Sequence, residues 1–337
     1  MNDIVLLCGN SNVKLAKDIA KCLKLSLNEQ NIPSQFANTE IHSKILDDLR
    51  GKNVYIIQSG CRNIDRNLSV NDIIFELLVL VDSCRRSMAA SVNIIMPYYP
   101  YSRSDKKDEP RAPISAKLLA NLLESTKIDR LVSIDLHAAQ IQGFLDTPFD
   151  NLYSAILVID KLDNTIFKNL TLDERQKKFI VVSPDAGGAK RTLALAKHMK
   201  LNTIIMHKQR DYSKPNYVEK TIIIHDDTSN KVFGKKAIIC DDIADTCGTL
   251  VSAINELVKF GFEDIICVIT HGIFSNNAIE KINNCKYISK FIVSDSIPQV
   301  ENCKKCPKLE VFSISSLMAD VIERIQCGGP ISELFVY

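Results

Sequence analysis

The stretch from Lys235 to Gly261, KKAIICDDIADTCGTLVSAINELVKFG, leaves this chain few ways to fold. The apolar run Ala237 to Cys240 has the length and composition of a buried strand, and it breaks off at Asp241, Asp242, Ile243, Ala244 and Asp245. Carboxylates are expected to cap that strand. Thr246, Cys247, Gly248 and Thr249 then lead into a segment with apolar residues at 250, 253, 254, 257 and 258, the spacing of one helical face, which Gly261 closes. The order is strand, loop, helix.

A loop of small residues at the start of a helix offers free backbone N–H groups at the positive end of the helix dipole, and it lets an anion approach the main chain. It suits a phosphate. The acidic pair before it can accept hydrogen bonds from hydroxyl groups, a combination that fits a phosphorylated sugar better than a bare nucleotide triphosphate. An ordinary strand-to-helix turn with solvated carboxylates is the other reading, and local chemistry leaves both open.

The 337 residues, 46% of them hydrophobic, suffice for two domains with separate cores. A formal net charge of +2 gives no reason to expect nucleic-acid binding. The first residues, MNDIVLLCGN, hold too short an apolar run for a secretory or membrane segment, so a cytoplasmic protein without membrane attachment is expected. Eleven cysteines without scaffold spacing fit reduced thiols packed as small hydrophobes. The pair Cys303 and Cys306 lacks a second pair to complete a zinc site and is expected in a solvated loop.

Along the first half, strand-like and helix-like runs alternate at 4–8, 13–27, 53–58, 71–86, 92–96, 114–125 and 130–135. The second half repeats the alternation, with strands near 179–183, 203–207, 237–240, 264–270 and 290–294 and helices near 187–199, 249–260 and 276–283. Two doubly wound α/β domains with mostly parallel sheets follow, residues 1–152 and 153–314, with a further helix over Ser315 to Gln326.

Several polar segments fall at the ends of these strands. Phe36, Asn38 and Glu40 lie in an irregular segment after Pro33. Tyr98 to Asp108 carries Arg103, Lys106 and Lys107 after a buried strand, a place where either triphosphate binding or plain solvation fits. Asp135 and His137 end LVSIDLH; in an extended strand, residues two apart share a face, so carboxylate and imidazole would converge. SPDAGGAKR can cradle a pyrophosphate or simply turn the chain, with Arg191 read as a helix-surface charge. KQRDYSKPN, with Lys208 and Arg210, suits either a mobile flap or a solvated loop.

The run DDIADTCGT resembles the ribose-5-phosphate loop shared by type I phosphoribosyltransferases and ribose-phosphate pyrophosphokinases, which make phosphoribosyl pyrophosphate. FANTE at 36–40, PYYPYSRSDKKD at 97–108, RAPISAKLLANLL at 111–123, DLHAAQIQGFLDTPFDNLY at 135–153, SPDAGGAKR at 183–191 and HKQR at 207–210 resemble the pyrophosphokinase family, in its order and over nearly the whole chain. The resemblance implies domains of phosphoribosyltransferase type, with the tail 315–337 packed on the first, and a cleft between two lobes where sugar and nucleotide meet. It implies ATP and ribose 5-phosphate as ligands, Mg²⁺ as cofactor, and self-association into a hexamer built from dimers.

Carried over residue by residue, the resemblance gives Phe36, Asn38 and Glu40 to the adenine, reaching a neighbouring subunit, and Arg103, Ser104, Asp105, Lys106, Lys107, Asp108 and His137 to ATP. Asn38 stands where many relatives carry Asp, and Ser104 where the family usually has Gln. Asp135, His137, Asp146, Asp150 and Asp185 become metal-linked candidates. Asp241 and Asp242 would orient the ribose hydroxyls, and Asp245, Thr246, Cys247, Gly248 and Thr249 would hold the 5-phosphate. Lys208 and Arg210 fall in the catalytic flexible loop. Arg50 and Gly51 match a regulatory anion site, whereas Asp48 and Pro330 occupy positions where relatives often have Ser. A phosphoribosyltransferase, a catalytically silent synthetase subunit and a stand-alone sugar-phosphate sensor are the competing readings.

Overall fold

The structure, a computed structural model, describes residues 3–210, 218–225 and 236–334, with side chains described for 3–207 and 236–334. The chain divides into two compact units, Met1–Tyr153 with Ser296–Pro298 and Ser313–Phe335, and Ser154–Asp295 with Gln299–Phe312 and Val336–Tyr337.

The first unit is built from β1 (Ile4–Cys8), α1 (Val13–Leu23), β2 (Ser34–Gln35), β3 (Ile41–His42), β4 (Asn53–Ile57), α2 (Val70–Arg86), β5 (Ser91–Ile95), α3 (Ser115–Ser125), β6 (Arg130–Ile134) and β7 (Phe149–Leu152). Its main sheet has the order β1-β4-β5-β6-β7 and every pairing is parallel, so the strands follow chain order. Continuous β-branched runs such as SVNII make these strands, since both faces are covered. Leu7, Val54, Ile56, Val92 and Ile94 share one core with Leu77, Leu80 and Val81 of α2 and Leu119 and Leu123 of α3. α1 was expected to run to residue 27 but stops at Leu23, because Lys24 takes a left-handed conformation (φ 57°) and its N–H closes back on the last turn.

One buried polar knot fixes the turn after β1. Glu76, only 1% exposed, accepts hydrogen bonds from the Asn10 main-chain N–H and from Gln58 Nε2, both at 2.7 Å, and from Asn10 Nδ2 at 2.5 Å. Gly9 is required there: a Cβ would stand 2.3 Å from Gln58 Oε1 and 2.4 Å from Glu76 Oε1.

The second unit contains α4 (Ala155–Asn164), α5 (Leu172–Lys178), β8 (Phe179–Ser183), α6 (Ala189–Met199), β9 (Thr203–Arg210), β10 (Val218–His225), β11 (Lys236–Ala244), α7 (Gly248–Lys259), β12 (Ile265–Gly272), α8 (Ala278–Asn284), β13 (Ile288–Ser294), α9 (Val300–Lys305) and β14 (Leu309–Phe312); α10 (Ser315–Cys327) belongs to the first unit. Its sheet order is β10-β9-β8-β11-β12-β13-β14, and only the β9–β10 pairing is antiparallel. The chain leaves β8 in one direction and resumes at β11 on the other side of it, which makes the β8/β11 border a topological switch point. Both units are thus α/β with mostly parallel sheets, as the alternation of runs predicts.

Two further expectations change. β11 does not end at Cys240: it runs on to Ala244, with Asp241 opposite Ile269 and Ala244 opposite Gly272, because pairing with β12 continues the ladder through the carboxylates. Cys303 and Cys306 are not in a solvated loop either. Cys306 is fully buried in the core of the second unit, and Cys303, on α9, packs against that core.

Candidate active site

In an open α/β sheet, ligands collect outside the carboxyl ends of the strands at a switch point. SPDAGGAKR leaves β8 there, and DDIADTCGT forms the last residues of β11 and the loop that follows. Ser183 Oγ donates to the Asp185 carbonyl at 2.7 Å, and Asp185 Oδ1 accepts the Gly188 N–H at 2.9 Å, which folds the turn tightly against the start of α6. A Cβ on Gly188 would stand 3.0 Å from Ser183 Oγ, 3.8 Å from Asp185 Oδ1 and 3.9 Å from Asp241 Oδ1. The two carboxylates therefore flank one small space that glycine keeps open.

Asp241 and Asp242 follow on β11, and the Asp242 N–H donates to Asp241 Oδ1 at 2.9 Å. Burial, then the neighbouring Asp242 and Asp185 charges, push the Asp241 carboxyl well above the usual carboxylate range, while Arg191 opposes the rise. Arg191 is not a surface charge: its Nη1 lies 3.2 Å from Asp242 Oδ1, whose side chain is 7% exposed. Such a site favours whatever brings hydrogen-bond donors or positive charge to it, and sugar hydroxyls or a cation do so.

Past the carboxylates, Cys247 adopts a left-handed conformation (φ 56°) that turns the chain into α7, and it caps the helix without a side-chain hydrogen bond. Its thiol is buried, which raises its pKa to about 12 and makes it packing rather than chemistry. Thr246, Gly248 and Thr249 are exposed, Asp245 is half-buried, and the Asp245 carbonyl accepts the Ser275 N–H at 3.1 Å. The exposed first turn of a helix, built from small residues, offers main-chain N–H groups that can receive an anion. Lys281 of α8 also reaches this loop, donating to the Thr246 carbonyl at 2.9 Å. Neither Arg191 as an ion-pair partner nor Lys281 was legible locally, since each contact joins distant parts of the chain.

In the first unit, Phe36 to Glu40 is a tight hairpin tip between β2 and β3, not an irregular segment. The Phe36 N–H donates to the Glu40 carbonyl and the Thr39 N–H to the Phe36 carbonyl, both at 2.9 Å, with Thr39 left-handed at φ 72°. Asn38 Oδ1 accepts the Glu40 N–H at 3.3 Å, so Asn38 shapes the tip. Phe36 is 53% exposed and its ring stands 4.8 Å from that of His42, which leaves an aromatic face available.

Beyond β5, the Tyr98 carbonyl accepts the Gly60 N–H at 2.8 Å, and Tyr99 is buried with its hydroxyl donating to the Ala116 carbonyl at 2.9 Å. These anchors hold the start of the basic loop. Ser104 is tied by its N–H to the Tyr101 carbonyl (2.9 Å), and its own carbonyl accepts the Ala116 N–H (3.2 Å). Lys106 pairs with Asp108 at 3.5 Å, both well exposed. Gln140 Nε2 donates to Asp105 Oδ2 at 3.0 Å, which links this loop to the segment after β6. The structure thus brings Arg103 to Asp108 and the His137 segment to one end of one sheet.

Asp135 and His137 do not converge by strand alternation. β6 ends at Ile134, and Asp135 takes a left-handed conformation (φ 46°) that breaks the pleat, leaving Asp135 2% exposed and His137 exposed. The turn is held by Asp135 N–H to the Leu152 carbonyl at 2.8 Å and Leu136 N–H to Asn151 Oδ1 at 2.9 Å. Asp146 is exposed in the following loop, while Asp150 lies within β7 and forms an ion pair with Arg130. Among the described residues, no group of three or more His, Cys, Asp or Glu could hold a metal. A magnesium ion that keeps waters and takes the rest of its shell from phosphates needs only one or two carboxylates, and Asp185 beside Asp241 fits that use. Lys208 and Arg210 fall at the end of β9, their side chains outside the described residues, and 211–217 of the expected flap lies outside them altogether.

No helix among the described residues is long and apolar enough to cross a membrane. Residues 4–126 match the N-terminal domain of ribose phosphate pyrophosphokinase, and residues 222–336 match the phosphoribosyl synthetase-associated domain. Ribose-phosphate pyrophosphokinase B of Dictyostelium discoideum is 39% identical over 343 residues, covering 99% of this chain and 98% of that protein. The crystal structure of phosphoribosylpyrophosphate synthetase from Mycobacterium smegmatis superposes with a TM-score of 0.83 at 31% identity, covering 97% of this chain and 100% of that one. With a curated relative at that identity matched along almost its full length, the chain belongs to the ribose-phosphate pyrophosphokinase family.

Proposed function

We propose that this chain is a working ribose-phosphate diphosphokinase, which moves the β,γ-diphosphoryl group of ATP to O1 of ribose 5-phosphate and serves nucleotide biosynthesis. O1 attacks the β-phosphorus in line and gives its proton to solvent, the bond from that phosphorus to the α,β-bridging oxygen breaks, and AMP leaves with phosphoribosyl pyrophosphate as the other product. The observation that carries the reading is the pairing of carboxylates with a main-chain anion loop at the β8/β11 switch point.

Reactions of this type need little covalent work from the protein, so positioning and charge stabilisation dominate. Asp241 and Asp242 accept the ribose hydroxyls, with Arg191 holding Asp242 in place. The N–H groups and threonine hydroxyls of residues 245–249 take the 5-phosphate. Phe36, with Asn38 and Glu40, offers its ring to the adenine, and Arg103 to Asp108 with His137 meet the phosphates of ATP. Lys208 and Arg210 supply charge to the transferring group and exclude water. Asp185, beside Asp241, would hold Mg²⁺, which when bound would neutralise phosphate charge. Self-association into a hexamer built from dimers and a cytoplasmic location complete the proposal.

The test is AMP formation from ATP, Mg²⁺ and ribose 5-phosphate by the purified protein, with the sugar product followed by phosphorus NMR. Equimolar AMP and phosphoribosyl pyrophosphate are expected. Release of ADP, or pyrophosphate release with a nucleobase as acceptor, would replace this reading with another transferase, and no turnover would favour the silent subunit.

A further inference from the structure

Lys281 lies outside every signature stretch of the sequence, yet its side chain leaves α8 and ends at the loop between β11 and α7. Its Nζ donates to the Thr246 carbonyl at 2.9 Å, and the point where a Cβ on Gly248 would stand is 4.0 Å from the same nitrogen. The ammonium is therefore held at the mouth of the turn that exposes the first N–H groups of α7. An ammonium carries three donors. One serves Thr246, and no second partner among the described residues takes the other two.

The charge around the loop makes that position consequential. Asp241, Asp242 and Asp245 precede the helix, and Asp245 and Lys281 act with opposite sign on the Cys247 thiol between them. A helix N-terminus offers only about half a unit of positive charge. A phosphate monoester carries close to two negative charges near neutrality, so the amides alone would receive it against neighbouring carboxylates. A full positive charge one side chain away changes the balance.

We propose that Lys281 is an affinity and selectivity determinant for the sugar's phosphate: its two remaining N–H groups take oxygens of the 5-phosphate, and its charge favours a dianionic phosphate ester over the neutral sugar. This rests on the reading that residues 245–249 hold the 5-phosphate. Lys281 contributes binding from outside the loop and is tied to it through Thr246. The competing role is mechanical, a lysine that only pins the Thr246 carbonyl.

The experiment compares wild type, Lys281→Met and Lys281→Arg in steady-state kinetics and in calorimetric titrations with ribose 5-phosphate and with ribose. A charge-assisted hydrogen bond corresponds to roughly a tenfold or larger change in affinity. Lys281→Met should raise the KM and Kd for ribose 5-phosphate about tenfold, with the KM for ATP within about twofold of wild type. Lys281→Arg should restore most of the loss, and the gap between Met and wild type should narrow with added salt. An unchanged Kd for ribose 5-phosphate in Lys281→Met overturns the proposal. So does a rise in both KM values accompanied by a fall in Tm, which marks the mechanical role. Wild type that forms no AMP would defeat the functional reading instead, and the calorimetric comparison would still decide the lysine.

Discussion

Arg191 Nη1 stands 3.2 Å from Asp242 Oδ1, and the carboxylate it meets is 7% exposed. This pair joins α6 to β11 across the switch point and ties the helix that follows the β8 turn to the acidic strand end. Removing one partner of a buried pair leaves an uncompensated charge and costs about 3–5 kcal/mol. Arg191→Met should destabilise the protein by that order, and adding Asp242→Asn should recover much of the loss in a urea titration. A double variant no more stable than Arg191→Met contradicts the pairing.

Glu76 makes stability depend on pH. Burial raises its pKa above the ordinary 4.5, against the donors from Asn10 and Gln58. A carboxyl whose folded pKa exceeds its unfolded value contributes stability that is complete below the unfolded value and is lost as pH rises through the folded one. Glu76→Gln stays neutral and places an amide donor against donors, so it should be weaker by about 1–3 kcal/mol at acidic pH. Urea midpoints followed upward from pH 4.5, the ordinary value, should show wild type losing ground to Glu76→Gln as pH rises. Parallel profiles would refute this.

Lys208 and Arg210 are expected to act in the chemical step. Cationic side chains that stabilise phosphoryl-transfer charge are worth about 10³ to 10⁵ in rate. Lys208→Ala or Arg210→Ala should lose activity on that order in single-turnover AMP formation, and a loss below about tenfold would place them outside the chemistry.

Regulation by phosphate should be weak. Asp48 Oδ1 accepts the Arg50 main-chain N–H at 3.1 Å, which puts a carboxylate against the Arg50–Gly51 turn. A negative charge beside a phosphate repels it. Initial rates titrated with inorganic phosphate should change little, ADP should inhibit weakly, and Asp48→Ser should strengthen both responses. Strong activation of wild type would contradict the assignment.

The alternation of buried strands and amphipathic helices was legible because periodicity and burial obey the same geometry. Short strands escaped: FDNL at β7 and LEVF at β14 carry too few residues to show a pattern. Charge misled at β11, where Asp241 reads as a strand end while pairing with β12 carries the strand to Ala244. Alternation misled at Asp135, because a single left-handed residue redirects everything after it. The segments that form the candidate site were readable as motifs, whereas the side chains that tune it, Arg191 and Lys281, became visible only through tertiary contacts.

The most direct test is a crystal structure of the protein with ribose 5-phosphate and a non-transferable ATP analogue. The 5-phosphate oxygens should lie at hydrogen-bonding distance from the main-chain N–H groups at the start of α7, with the ribose hydroxyls on Asp241 and Asp242. A 5-phosphate bound away from residues 245–249 would contradict it.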